Sequence, residues 1–165
     1  MWQLLLGYLP AEQDQQADAI AQKRDQYARL VEDYYPAMAE DQPIPVETDP
    51  LWDQIRVDVI RTFPAGLVEF FENERVREAL CRVLYVYSTV HQQRNYWQGL
   101  NELPVPFLVT FMAFYANCTT REVNTISEEG IQLALESRTI EADVFWCVSR
   151  FVKGLQVRGD YVIGT

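Results

Sequence analysis

Three stretches of this chain repeat their apolar residues at intervals of three and four, and that spacing limits the fold more than any other feature. In "QADAIAQKRDQYARLVEDYY" the recurring positions are Ile20, Tyr27, Leu30, Val31 and Tyr34. In "ERVREALCRVLYVYSTV" they are Val76, Leu80, Val83, Leu84 and Tyr87, and in "IEADVFWCVSRFVKGLQ" they are Ile140, Val144, Val148, Phe151 and Leu155. Residues three and four apart share one side of an α-helix, so each stretch reads as a helix with a core-facing stripe. No series of alternating strands bracketed by Asn-Gly or Asp-Gly turns competes with them. The expectation is an all-α fold with no significant β-sheet.

At 165 residues the chain suits one domain with a real core, and its 48% apolar and 13% aromatic content argues against disorder. No window approaches the roughly 18 to 20 apolar residues of a membrane span, so direct membrane insertion is not expected. The opening "MWQLLLGYLP" lacks a basic leader and a small-residue cleavage pattern and reads as a structural helix. Cys81, Cys118 and Cys147 form no CxxC pair, and the single histidine, His91, completes no zinc site with them. Reduced thiols imply a reducing, cytoplasmic compartment.

The net charge of −10 speaks against nucleic acid and anionic lipid as direct partners. Its distribution is uneven. Residues 1–50 carry ten acids against three bases, and residues 101–165 carry eight against five. Between them, residues 51–100 balance six acids with six bases, all six of them arginine. Arginine favours fixed, two-pronged contacts with carboxylate or phosphate.

That balanced middle holds "NYWQGLNELP", residues 95–104, which leads straight into the apolar run "VPFLVTFMAFY". Amides such as Gln98 and Asn101 are costly to bury unless paired, so the stretch is a satisfied capping region or a site. We read a helix that starts near Gln98 and bends around Pro104 and Pro106, because proline in a helix interior removes a hydrogen bond. Asn95, which tolerates positive φ, would let the chain reverse before it. Upstream, "AEDQPIPVETDP", residues 39–50, reads as a surface loop, with Asp49 or Thr48 capping the helix that begins near Pro50. "ANCTTREVNTISEEG" reads as a second polar connector, and no repeat of 20 to 50 residues is present.

In "IRVDVIRTFP", residues 55–64, Ile55, Asp58 and Arg61 are spaced by three and share a helix face, so Asp58 can orient the guanidinium of Arg61. Taken alone, such a pair is an ordinary solvated ion pair. In combination it is more. "IRVDVIR" fits the IxxDxxR pattern and "YWQG" the YxQG pattern of the TBC-domain activators of Rab GTPases, with Arg61 preceding Gln98 by 37 residues. "WQLLLGYLP", "QKRDQYARLVEDYY" and above all "EADVFWC" resemble further stretches of that family in the same order.

This resemblance implies a protein that supplies two groups in trans to a GTP-bound Rab. Arg61 would be an arginine finger that neutralises charge on the transferring phosphoryl group, a role typically worth about 10³ to 10⁵ in rate. Gln98 would be a glutamine finger, its amide aligning the attacking water while touching phosphate. Asp58 would orient Arg61, Tyr96 would brace the turn, Asn101 would help to hold it, and Gly99 would let the GTPase backbone approach. No cofactor of its own is implied, since GTP and Mg²⁺ arrive with the partner. A cytoplasmic protein peripheral to the Golgi or other endomembranes is also implied.

Two departures stand out. Asn95 replaces the glycine usual before YxQG, and Pro104 stands where a small non-proline residue is common. "QVRGDYVIGT" resembles a point midway through a TBC domain, so residues 1–165 are expected to be its N-terminal subdomain, with the second helical half absent. That leaves apolar faces for self-association, and it keeps open the alternative of a TBC-like module that binds a Rab or another protein without accelerating hydrolysis.

Overall fold

The computed structural model describes residues 13–35, 49–91 and 96–159. The expectations placed on the opening helix, on most of the 39–50 loop, on Asn95 and on the final residues lie outside them. Among the described residues there are seven α-helices and two short 3₁₀ turns, and no strand. The helices are α1 (Gln13–Tyr34), α2 (Pro50–Ile60), α3 (Val68–Glu72), α4 (Glu74–Val90), α5 (Pro104–Tyr115), α6 (Glu128–Glu136) and α7 (Thr139–Gly159). The fold is all-α, as the spacing of the apolar residues predicts.

The organising element is α4, which packs against α1, α2, α3, α6 and α7. Its predicted stripe of Val76, Leu80, Val83, Leu84 and Tyr87 is buried throughout. Because neighbours cover more than one side, Ala79, Cys81, Arg82, Val86 and Ser88 are buried too. Each fully buried aliphatic side chain contributes about 1.5–3 kcal/mol, so this helix carries much of the core. Its start is fixed by Asn73, whose side-chain oxygen accepts from the backbone N–H groups of Arg75 at 3.0 Å and Val76 at 3.3 Å. Burial drives the Cys81 thiol up to about 12, so this cysteine packs as a neutral core group.

The helix that was expected to start near Gln98 and kink at its prolines is organised differently. A 3₁₀ turn at Leu100–Glu102 comes first, and α5 begins at Pro104 itself. Pro104 and Pro106 thus lie in the first helical turn, where backbone N–H groups have no intrahelical partner and proline costs nothing. The prolines mark a start, not a bend. The polar connector is also more structured than its composition suggests. Val123 is fully buried in a 3₁₀ turn, and Ser127 accepts from the Gly130 N–H at 3.1 Å to cap α6. Among the described residues, no helix is long and apolar enough to cross a membrane.

Candidate functional site

Helix α2 positions Arg61. Pro50 occupies its first turn and Asp49 caps it, accepting from the Leu51 N–H at 2.9 Å. Ile55 and Val59 turn into the core and anchor the helix. The helix stops at Ile60 because Pro64 disfavours helical geometry just ahead of it, which makes Arg61 the capping residue. There its N–H bonds the Asp58 carbonyl at 3.1 Å, while its side chain stands in solvent. Thr62, immediately after it, is fully buried, and its hydroxyl donates to the Asp58 carbonyl at 3.0 Å.

The second stretch runs from Tyr96, which is buried, through Trp97, Gln98 and Gly99, which are exposed, to Leu100 and Asn101, which are buried again. Gly99 has φ of 93°, the left-handed conformation that turns the chain into the 3₁₀ segment. That backbone state is what this structure requires of the glycine; a side chain would meet no neighbour within 4 Å but would be strained. Gln98 sits at the crest of this turn, in solvent.

Two hydrogen bonds join the stretches. The Tyr96 hydroxyl donates to Asp58 Oδ2 at 2.9 Å, and Asn101 Nδ2 donates to Thr62 Oγ1 at 2.9 Å. One tie begins three residues before Arg61 and the other one residue after it. On the other segment, the ties fall two residues before Gln98 and three after. The segments carrying Arg61 and Gln98 are therefore held side by side.

The expected Asp58–Arg61 pairing is not among the ion pairs of the described residues. Asp58 turns instead to the buried tyrosine, since a hydrogen bond to a carboxylate shielded from water outweighs an exposed ion pair. Burial first, and Asp58 second, hold the Tyr96 hydroxyl well above its usual range, so it remains a donor at any physiological pH. Tyr96→Phe should cost about 1–2 kcal/mol in thermal or urea unfolding. Combined with Asp58→Asn it should cost less than the two single changes summed; strict additivity would mean that the two groups do not communicate. Thr62 is not among the residues that the sequence singles out for the site. The available signal was its position four residues after Asp58, which places both on one helix flank.

Comparison with known proteins bears on the whole chain. The description of the Rab-GTPase-TBC domain matches residues 1–161. This chain belongs to the Rab-GTPase-TBC family. TBC1 domain family member 22B of Homo sapiens is 32% identical over 157 residues, covering 94% of this chain and 28% of that protein. The GTPase-activating protein GYP1 of Saccharomyces cerevisiae is 30% identical over 165 residues, covering 99% of this chain and 24% of that protein. The crystal structure of the Ypt/Rab-GAP domain of Gyp1p superposes with a TM-score of 0.74 at 26% identity, over 94% of this chain and 46% of that one. The chain thus spans about a quarter of these curated relatives and under half of the solved TBC domain.

The TBC family's "EADVFWC" stretch proves to be a tethering device. Glu141, almost wholly buried, accepts from Arg82 Nε at 3.0 Å and from the Tyr27 hydroxyl at 3.1 Å, joining α7 to α4 and α1. Asp143 takes both prongs of Arg24, at 3.3 and 2.8 Å. Trp146 Nε1 donates to the Lys23 carbonyl at 2.8 Å, while the Lys23 ammonium lies 3.9 Å above the same indole. Periodicity cannot find this, because the partners lie 59 to 123 residues away. Among the described residues, no group of His, Cys, Asp and Glu could hold a metal ion.

Proposed function

We propose that this chain carries the finger-bearing part of a GTPase-activating protein for a GTP-bound Rab-family GTPase. Arg61 acts as the arginine finger, and Gln98 aligns the attacking water. The observation that carries the reading is the pair of ties, Tyr96 to Asp58 and Asn101 to Thr62, which fastens the two exposed finger candidates to a common base. In this reading Asp58 serves the Gln98 turn through Tyr96, and Arg61 is positioned by its capping backbone. GTP and Mg²⁺ come with the GTPase, so the chain contributes positioning and charge and no cofactor.

The experiment is multiple-turnover GTP hydrolysis over a panel of Rab GTPases, with the longest form of the protein. Gln98→Ala should lower the stimulated rate about 10²-fold, the usual loss when one preorganised donor is removed from a transition state. Unchanged stimulation in that variant would remove Gln98 from the mechanism.

A second reading is favoured by one observation, the coverage of only 46% of the solved domain. By itself, this stretch would then bind a Rab without accelerating it, and could self-associate through apolar residues such as Phe114, which is 86% exposed. Binding to a GTP-loaded Rab with no rise in hydrolysis would identify that behaviour.

A further inference from the structure

Far along α7 from its acidic start lies a cavity of about 380 Å³ lined by His91, Trp146, Ser149, Arg150 and Lys153. In a chain of net charge −10 its lining contains an arginine, a lysine, a histidine and no carboxylate. The nearest acid on this helix, Asp143, is already neutralised by the two-pronged contact with Arg24. Lys23 adds a third cation at the edge, over the Trp146 ring. Its ammonium is held below its usual range, first by partial burial and then by repulsion from Arg150. Cations crowded without a counter-charge gain when an anion arrives.

A second observation points the same way. Ser149 is 8% exposed, and its hydroxyl, although buried, has no hydrogen-bond partner among the described residues. Buried hydroxyls are nearly always satisfied, so this residue of the cavity lining has unused hydrogen-bonding capacity. His91 engages the Tyr87 carbonyl through Nδ1 at 3.0 Å, and its Nε2 has no hydrogen bond among the described residues. The carboxyl end of α4 works against an anion here, but the clustered side-chain charges exceed that partial charge.

We propose that this cavity binds a phosphate group, with Arg150 and Lys153 supplying charge and Ser149 a neutral donor. Both cations are exposed, so both reach outward from the cavity rim. The chemistry fits a free phosphate compound or a phosphorylated lipid headgroup. Neither Arg61 nor Gln98 lines the cavity, so it would offer a second point of attachment.

The test uses the full-length protein and its Arg150→Gln/Lys153→Gln and Ser149→Ala variants, with folding checked by circular dichroism. Titration with inorganic phosphate, followed by tryptophan fluorescence, should show saturable binding. It should weaken about 10-fold or more in the double variant, as expected for losing charge-assisted contacts. Sedimentation with phosphatidylcholine vesicles, with and without phosphatidylinositol 4-phosphate, separates the sources. Phosphate binding without vesicle binding assigns a free phosphate compound, and vesicle binding lost in the double variant assigns a lipid headgroup. Absence of both in the native protein, or equal binding by native and double variant, would overturn the proposal.

Discussion

Arg61→Ala is expected to lower Rab-stimulated GTP hydrolysis by about 10³- to 10⁵-fold, measured under multiple turnover with the longest form of the protein. The size follows from what a finger supplies, a charge delivered where the transition state is most negative. Arg61→Lys should fail almost as badly, because an ammonium cannot reproduce the planar, two-pronged guanidinium. Neither change should disturb the fold. The Arg61 side chain is exposed, and the residue serves α2 through its backbone, so unfolding stability should move by no more than about 0.5 kcal/mol. A fully active, normally folded Arg61→Ala variant would end the finger mechanism.

Arg82→Met is expected to be the most destabilising single change, at about 3–5 kcal/mol, because it strands the Glu141 carboxylate inside the core. For a domain of this size the melting temperature should fall on the order of 10 °C. Adding Glu141→Gln should restore part of the loss, since the remaining polar groups then carry no charge. The deficit also has a pH signature. Burial raises the Glu141 carboxyl to about 7, despite the opposing pull of Arg82. A carboxyl whose folded value lies above its unfolded 4.5 contributes most stability below 4.5 and loses it as pH rises towards 7. In Arg82→Met the carboxyl is raised further still, so the gap to native protein should narrow as pH falls from about 9 to about 6. Melting curves across that range check the sign, and a gap that widens on acidification would contradict it.

Much of this was legible in the residues. The stripes of α1, α4 and α7 place Tyr27, Val31, Leu84, Val144 and Val148 in the core, where the structure has them. The misses cluster where a local pattern ends. Tyr34 belongs to the periodic set of α1, yet it is 40% exposed while Tyr35, one step past the helix, is 6% exposed. Once the chain leaves its helical path, the rotation between neighbours no longer follows the helix. At the far end of α7, Phe151 and Leu155 continue the stripe on paper but lie in solvent, and Val152 is buried instead.

The candidate site was legible as chemistry more than as geometry. Resemblance supplied the two motifs, and spacing suggested that Asp58 serves Arg61. Spacing along one helix cannot show that a tyrosine 38 residues away competes for the same carboxylate. Likewise, Glu141 and Asp143 look like a polar interruption of α7 until Arg82 and Arg24 are brought to them from other helices. Polar core residues become intelligible only with their partners.

The latch between α2 and the Gln98 turn pairs a phenol with a carboxylate and a carboxamide with a hydroxyl, so neither tie joins two opposite charges. Counter-ions have little there to screen, so raising ionic strength should leave the segments carrying Arg61 and Gln98 aligned. If the proposed activation holds, any slowing of it in concentrated salt would then report how often the two proteins meet, and not how well this surface is assembled once they have.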